Sequence, residues 1–316
     1  MYWEIGQSII NQQKEKGWGS KVVDLLSSDL QKSFPDGMGF SVRNLKYMKA
    51  FAEAYPQYPT VQVPLAQNDN EIVQVPLAQI TWYHHISLLT KIKNPSERAF
   101  YIIETARNEW SRDVMLLQIQ SKLYERSGKA LNNFKATLPD YQSDLAKSVF
   151  KDPYNFGFLN LSARIKELEI EKLLTEKITE FLLELGQGFA FIGRQYKLEV
   201  DNTEYKIDLL FYHTILHAHI VIELKAGEFS PEYVSKLNFY ISAIDDTLKT
   251  PADERTIGLL LCASKSNVKV EYAMRGFDKP IGVASYQLEQ FLKENLEKFN
   301  QLNTSEKKED EKRWKK

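Results

Sequence analysis

Apolar and polar residues in the first half of the chain follow the spacing of amphipathic helices. Apolar residues recur every three or four positions in 2–14, in 21–33 and from Ser41 onwards, and this spacing predicts three short helices. A segment rich in proline and glycine, residues 34–39, separates the second helix from the third and predicts a tight turn. Two helices joined by a tight turn, with a polar outer face on the second, are typical of a helix-turn-helix.

The heptapeptide VQVPLAQ occurs twice, at 61–67 and at 73–79. Apolar and polar residues alternate on both sides of the polar segment between the copies, which is compatible with a β-hairpin that would act as a wing beside a helix-turn-helix. Pro64 and Pro76 would restrict such a hairpin to edge pairing. A duplicated surface loop explains the repeat equally well.

Residues 80–150 are predicted to be helical throughout, with helices over 96–106 and 110–124. The segment 151–160 mixes proline, glycine and asparagine with aromatic residues. We place a domain boundary there, because such a composition interrupts helical periodicity.

The second half of the chain changes from helical to strand-like spacing. A long helix is predicted over 162–185, ended by Gly186. The segments that follow have the composition of strands, except for one helical stretch, and the strand at 256–263 is apolar enough to be central in a sheet. The predicted elements are strands at 188–200, 204–213 and 218–225, a helix at 231–246 and strands at 256–263 and 281–286. This order predicts an α/β layer with a mixed sheet.

Composition limits the class of protein. The chain has 316 residues, of which 43% are hydrophobic, 12% aromatic and 26% charged, and these values exclude a wholly disordered or fibrous protein. The length predicts two domains, which we place at 1–150 (helical) and 151–300 (α/β), followed by a disordered charged tail at 301–316.

Cysteine content and hydropathy limit the compartment. The single cysteine, Cys262, excludes an intrachain disulfide framework and is expected to be a core thiol. No apolar run reaches the ~18 residues of a membrane span, and the N-terminus lacks the pattern of a signal peptide. We therefore expect a cytoplasmic protein without a membrane partner.

The overall charge balance gives no indication of nucleic-acid binding. The chain carries 41 Lys+Arg against 42 Asp+Glu, a net charge of −1, whereas nucleic-acid-binding proteins usually carry a basic excess. The first half has a slight positive excess and the second half a slight negative one.

Three charged residues lie in the apolar strands of the second half. Asp208 stands between Ile207 and Leu209, and Glu223 and Lys225 stand at the end of the next strand, on one face. Two converging carboxylates repel each other, and Mg²⁺ or Mn²⁺ would resolve that repulsion while completing its shell with water and phosphate oxygens. The pattern favours metal-assisted phosphodiester hydrolysis with Lys225 beside a metal-bound water, although a buried ion pair that serves only the fold explains it equally well.

The histidines do not form a metal site by their spacing. His84 and His85 are adjacent, so on a helix they point about 100° apart, and we expect them partly buried at a helix start. His213, His217 and His219 have no further ligand at zinc spacing, and we expect them on the surface of the strand hairpin.

Long strings of the sequence resemble one known family. GQGFAFIGRQYKLEV, EYKIDLLFYH and VIELKAGEF, within 186–240, resemble the nuclease domain of YhcG-like proteins, a branch of the PD-(D/E)XK nuclease superfamily. YWEIGQSI and SVRNLKYMKAF resemble the helical domain that precedes it, and the resemblance covers roughly 2–290. It implies a restriction-endonuclease-like core with a metal site, behind a winged-helix-like domain that engages DNA.

The resemblance also implies roles for single residues. Asp208 matches the first metal-binding aspartate of the superfamily, and Glu223 and Lys225 match its (D/E)-x-K pair, with the Leu224 carbonyl as a further metal ligand. Gln195, in the first strand, would contact water or substrate.

The superfamily also places a glutamate on the helix before the first strand. Of the four candidates, Glu171 is favoured because it shares the apolar face of that helix; the others are Glu176, Glu180 and Glu184. Lys236 and Tyr240 stand where related nucleases carry Gln-x-x-x-Tyr. The residues expected to contact nucleic acid are Arg43, Asn44, Lys46, Lys49, Arg194, Lys236 and Tyr240.

Three functions therefore remain open. The first is a Mg²⁺- or Mn²⁺-dependent endonuclease acting on DNA, expected to dimerise because cutting both strands of a duplex requires two sites, and to use a protein partner for specificity. The second is a DNA-binding accessory or regulatory protein whose nuclease fold does not cut. The third is an interaction protein that requires neither metal nor nucleic acid.

Overall fold

The computed structural model describes residues 1–16, 21–34, 39–58, 60–64, 72–161 and 166–288. The chain forms two compact units, Met1–Ile119 and Gln120–Lys316. The greater part of the predicted turn at 34–39, the residues joining the two repeat copies, the start of the helix predicted at 162 and the tail at 301–316 lie outside the described residues.

The first unit is mostly helical. Ser41 accepts a hydrogen bond from the Asn44 backbone N–H and so caps the third helix. The described elements are α1 (Tyr2–Lys16), α2 (Lys21–Ser33), α3 (Val42–Ala54), β1 (Thr60–Pro64), β2 (Ile72–Pro76), α4 (Trp82–Lys91), α5 (Pro95–Arg107) and α6 (Arg112–Gln120). The three helices predicted at the start are therefore confirmed.

Helices α1 and α3 pack closely because Gly6 has no side chain. A Cβ at Gly6 would stand 2.1 Å from the Met48 carbonyl oxygen. Ile9, Val23 and Leu45 join Met48 in the core of these helices.

The described segments at 60–64 and 72–76, which include the start of each heptapeptide, form paired strands rather than a loop. β1 and β2 pair antiparallel, from Thr60 opposite Pro76 to Pro64 opposite Ile72. The helix predicted over 110–124 is wrong in extent, because Lys122 takes a left-handed conformation (φ 55°) that ends α6 and begins a separate short helix.

Within the described residues, the second unit is built on a mixed sheet of seven strands. Its elements, in chain order, are α7 (Leu123–Arg126), β3 (Leu131–Asn132), α8 (Phe134–Thr137), α9 (Asp140–Val149), β4 (Tyr154–Asn155), α10 (Glu167–Glu176), α11 (Ile178–Leu185), β5 (Phe189–Val200), β6 (Thr203–His213), β7 (Ala218–Glu228), α12 (Glu232–Thr247), β8 (Ile257–Ser264), α13 (Asn267–Met274) and β9 (Ile281–Gln287).

The strand order is β3-β9-β8-β7-β6-β5, with β4 also pairing with β9. Strands β5, β6 and β7 are antiparallel neighbours, and β7, β8 and β9 run parallel. One apolar cluster covers each face of the sheet. The mixed sheet predicted from the sequence is confirmed. The strand predicted at 256–263 is β8, and its predicted central position is also confirmed.

Helix α12 lies directly against β8. A Cβ at Gly258 would stand 2.7 Å from Ile241 Cδ1 and 2.8 Å from Leu237 Cγ, so this glycine permits the close approach. The packing fixes the helix that carries Lys236 and Tyr240.

Two sequence predictions for this unit require correction. The helix predicted over 162–185 is two helices, since Lys177 leaves helical geometry (φ −107°, ψ 44°) between α10 and α11. His213 and His219, expected at the surface, are buried; the His213 ring packs edge-on against Phe189. Their positions on strands covered on both faces explain the burial.

The compact units divide between Ile119 and Gln120. The second unit includes β3 and β4, because both strands pair with β9. No helix among the described residues is long and apolar enough to cross a membrane.

Candidate active site

The site lies where β6 and β7 separate. Their backbone pairing runs from His213 opposite Ala218 to Leu209 opposite Ile222 and ends there. The Leu224 N–H donates instead to Asp208 Oδ2 at 2.8 Å. The fold thus places a carboxylate where a backbone carbonyl would continue the ladder.

Both carboxylates of the site are deeply buried. Asp208 is 7% exposed and Glu223 is 0% exposed. Burial, and then the charge of Glu223, raise the pKa of Asp208 to about 7. Glu223 Oε1 contacts Lys225 Nζ at 2.9 Å and Lys236 Nζ at 2.5 Å, while Glu223 Oε2 has no partner among the described residues.

Lys225 is held from several sides. Its ammonium donates to Glu167 Oε2 at 3.0 Å and to the Leu224 carbonyl at 2.9 Å, and it lies 5.2 Å from the centroid of the Tyr233 ring. Burial acts to lower the pKa of Lys225, but the charge of Glu223 and hydrogen bonds to carboxylates outweigh burial and raise it. Lys225 is therefore a fixed ammonium group.

Gln195 connects the helix to the strands. Its Nε2 donates to Glu171 Oε2 at 2.6 Å and approaches Asp208 Oδ1 at 3.5 Å. Gln195 has a left-handed backbone (φ 49°), two residues after a bulge that ends at Gly193, and bulges redirect side chains in this way. Burial raises the pKa of Glu171, and the bond from Gln195 opposes that rise.

The four candidate glutamates differ in burial and in their contacts. Glu171 reaches the site through Gln195. Glu176 and Glu180 are exposed. Glu184 is buried and forms an ion pair with Arg126, with Arg126 Nη1 2.5 Å from Glu184 Oε1.

Sequence reasoning missed Glu167. Its Oε2 accepts from Lys225, and its Oε1 accepts from the Ala226 N–H at 3.3 Å. Glu167 precedes Glu171 by four residues on α10, so both lie on one helix face. This spacing of four residues is the signal in the sequence that points to Glu167.

The donor set fits a hard divalent cation. Glu223 Oε2 is a buried carboxylate oxygen without a partner among the described residues, and Asp208 lies close enough for its pKa to respond to Glu223. The described residues contain no group of three or more His, Cys, Asp or Glu able to hold a metal, so such a cation would rely on water or phosphate oxygens as well. The Leu224 carbonyl, expected as a further ligand, accepts from Lys225.

The other predicted contacts in this unit differ in accessibility. Lys236 has a 45% exposed side chain. Tyr240 is buried, and its hydroxyl donates to the Lys206 carbonyl at 2.8 Å. Arg194 is exposed, and its charge acts to lower the pKa of Glu171.

The predicted nucleic-acid contacts of the first unit all lie on α3. Arg43 and Lys46 are exposed, the Arg43 guanidinium lies 5.9 Å from the Tyr47 ring centroid, and Lys49 Nζ lies 3.6 Å from Glu53 Oε1. Asn44 differs, because its side chain donates to the Gly39 carbonyl and accepts from the Trp82 indole. Its amide therefore connects α3 to α4.

Family models match both parts of the chain. Residues 147–302 match the YhcG PDDEXK nuclease domain, and residues 1–126 match the DUF1016 N-terminal domain. The chain is 29% identical over 317 residues to Putative nuclease YhcG of Escherichia coli (strain K12), covering 91% of this chain and 82% of that protein.

Two solved structures also show similarity. A repair endonuclease from Pyrococcus abyssi matches with a TM-score of 0.28 and 19% identity, over 41% of this chain and 50% of that one. EndoMS in apo form matches with a TM-score of 0.27 and 16% identity, over 39% of this chain and 46% of that one. The chain spans about half the length of each of these two structures.

Proposed function

The chain belongs to the family that joins a DUF1016 N-terminal domain to a YhcG PDDEXK nuclease domain, and on this premise we propose that it is a metal-dependent endonuclease that hydrolyses phosphodiester bonds of DNA. The observation that carries the proposal is the pair of buried carboxylates, Asp208 and Glu223, with the Lys225 ammonium between Glu223 and Glu167. A buried carboxylate oxygen without a partner is costly, and a bound cation would remove that cost.

Asp208 and Glu223 would hold Mg²⁺ or Mn²⁺. Such a cation supplies Lewis-acid stabilisation of the phosphate and an activated water. Lys225 stays protonated because of its carboxylate partners, so its role is to stabilise negative charge on the phosphate rather than to remove a proton. Gln195 and Glu171 would orient water or substrate beside Asp208 through their hydrogen bond.

The first unit would engage the DNA. Arg43, Lys46 and Lys49 present cations along one helix, which suits contact with phosphates. In the second unit, Arg194 and Lys236 would contact the strand being cut. The buried Tyr240 hydroxyl is occupied by the Lys206 carbonyl, so we assign Tyr240 to holding α12 in place. A homodimer would supply two sites for cutting a duplex, and a protein partner would direct specificity.

The direct test is cleavage of duplex, single-stranded and branched DNA, and of RNA, with Mg²⁺ or Mn²⁺ present. Asp208→Ala and Lys225→Ala should each reduce cleavage by about 100-fold or more, because Asp208 would hold the metal ion and Lys225 would stabilise negative charge on the phosphate. Asp246→Ala, which removes an exposed carboxylate on α12, is the matched control and should retain activity.

Full cleavage by Asp208→Ala would contradict the proposal. Mn²⁺ and DNA binding without cleavage of any substrate would favour a DNA-binding accessory protein instead. If neither metal nor nucleic acid binds, the interaction-protein alternative is favoured.

A further inference from the structure

Two lysines from different elements share one oxygen of Glu223. Lys225 from β7 and Lys236 from α12 both contact Oε1, at 2.9 Å and 2.5 Å. Oε2 has no partner among the described residues, and the side chain is fully buried. Both counter-ions of the Glu223 carboxylate therefore lie at Oε1.

The two lysines are held very differently. Lys225 has two more polar partners, Glu167 and the Leu224 carbonyl, and a side chain that is only 9% exposed. Lys236 has a 45% exposed side chain and one ion pair, with Glu223, and its ammonium also contacts the Tyr240 side chain. Lys225 is almost enclosed and cannot leave without breaking two ion pairs and a hydrogen bond, whereas the half-exposed Lys236 can turn into solvent by breaking one ion pair and its contact with Tyr240.

The neighbours of Lys236 would not follow it. Its Nζ lies 5.3 Å from the Tyr240 ring centroid, but the Tyr240 hydroxyl is fixed on the Lys206 carbonyl. Helix α12 is fixed in turn by its close packing at Gly258. Release of Lys236 therefore requires rotation of its side chain between staggered rotamers but no movement of α12.

A divalent cation held by Asp208 and Glu223 would share the Glu223 carboxylate with the Lys236 ammonium. Like charges on one carboxylate repel strongly in a partly buried site. The cation therefore competes with Lys236 for Glu223.

We propose that Lys236 is the exchangeable counter-ion of Glu223: it neutralises the carboxylate in the metal-free protein and is displaced towards solvent when a divalent cation binds. The inference rests on the proposed function, since the same two carboxylates hold the cation. Lys225 stays in place throughout, anchored by Glu167. Metal affinity is thereby limited by a residue that is not itself a ligand.

Calorimetric titration of the full chain with Mn²⁺, without nucleic acid, tests the exchange. Lys236→Gln removes the competing charge and should bind Mn²⁺ roughly threefold to tenfold more tightly than the wild type. Lys236→Arg keeps a cation at this position and should bind like the wild type. Lys197→Gln is the matched control, because it removes one positive charge from an exposed pair with Glu204, and it should also bind like the wild type.

Thermal unfolding in EDTA provides a second measurement. Lys236→Gln should lower the melting temperature, because Glu223 loses one of its two counter-ions while remaining buried. Saturating Mn²⁺ should then raise the melting temperature of Lys236→Gln by more than it raises that of the wild type. Lys197→Gln should show neither effect.

The outcomes separate this inference from the function on which it rests. If neither the wild type nor any Lys236 variant binds Mn²⁺, the proposed metal site is wrong, and the exchange is wrong with it. If the wild type and Lys236→Gln bind Mn²⁺ equally tightly, and Asp208→Ala does not bind, the metal site stands and the exchange is overturned. An unchanged melting temperature for Lys236→Gln in EDTA overturns the counter-ion role in the metal-free state.

Discussion

Burial next to Glu223 makes the ionised Asp208 carboxylate energetically unfavourable. The same surroundings suit this carboxylate to holding a cation. Its carboxylate is taken from water and placed near Glu223, and both effects raise its pKa, to about 7. Its hydrogen bond from the Leu224 N–H opposes this rise without cancelling it. In the metal-free protein the ionised form of Asp208 therefore reduces stability, and a cation would relieve that loss.

The metal-free protein should consequently lose stability as pH rises from about 4 to about 7. The folded state binds the Asp208 proton more tightly than the unfolded state, so this contribution is complete at low pH and is lost as pH passes the folded pKa. Asp208→Asn removes the titration while keeping an acceptor for Leu224. At pH 8 in EDTA, Asp208→Asn should be more stable than the wild type by about 1 kcal/mol or more.

Urea unfolding of both proteins between pH 4 and pH 8, with EDTA present, measures the difference. Asp246→Asn alters an exposed carboxylate of the same type and should follow the wild type. Parallel stability curves for Asp208→Asn and the wild type would show that Asp208 does not have the raised pKa.

Helix α10 delivers two carboxylates from successive turns to different parts of the site. Glu167 holds the Lys225 ammonium and the Ala226 N–H, and Glu171 holds Gln195. Helix α10 thus contacts both β7 and β5 at the place where the pairing of β6 with β7 has ended. Its register, rather than any single residue, sets both contacts.

Glu167→Gln should therefore reduce cleavage by about tenfold while leaving KM for DNA nearly unchanged. The amide keeps the shape but loses the charge that fixes Lys225, so the ammonium is less well placed for the transition state. Steady-state kinetics with Mg²⁺ measure the separation of kcat from KM. Glu176→Gln on the same helix removes an exposed carboxylate paired with Lys172 and should behave as wild type; an equal loss in both variants would contradict a positioning role for Glu167.

Elements with long, regular patterns could be predicted from the sequence, and short or interrupted ones could not. The strands β5 to β8 and helix α12 were identified because period-two and period-3.6 spacing extends over many residues. β3 and β4 are two-residue strands, too short to carry a period, and they form because β9 offers an unpaired edge. The breaks at Lys122 and Lys177 likewise depend on packing rather than on a helix-breaking residue.

The candidate site was predictable only in part, for the same reason. Asp208, Glu223 and Lys225 are charged residues in apolar strands, which one sequence reveals. The contacts of Glu167 and Lys236 depend on how α10 and α12 lie against the sheet. The burial of His213 and His219 could not be inferred either, because it depends on which faces of the strands are covered.

The near-zero net charge of the whole molecule hides where its cations lie. The chain carries a net charge of −1, yet helix α3 presents Arg43, Lys46 and Lys49 together in the first unit, while the second unit concentrates carboxylates at its site. Attraction of the protein to DNA would then be weak overall and would depend on these few cationic side chains. Such contacts are strongly sensitive to salt.

Replacing Arg43, Lys46 and Lys49 together with glutamine should weaken DNA binding and reduce the salt slope of log Kd by about 2 to 3. Fluorescence anisotropy of a labelled duplex at several salt concentrations measures both quantities. A triple variant of Lys14, Lys32 and Lys93, all exposed and in the same unit, removes the same charge elsewhere and should retain the slope. An equal loss in the two triple variants would indicate general attraction rather than contact through α3.

The pairing of β3 and β4 with β9 has a consequence for synthesis of the chain. Leu131 and Asn132 leave the ribosome well before Val283 and Gly282, with which they pair. β3, which lies between the two family matches, therefore cannot pair until β9 has been translated. The first unit can complete its fold earlier in translation, but this edge of the sheet closes only after β9 has been translated.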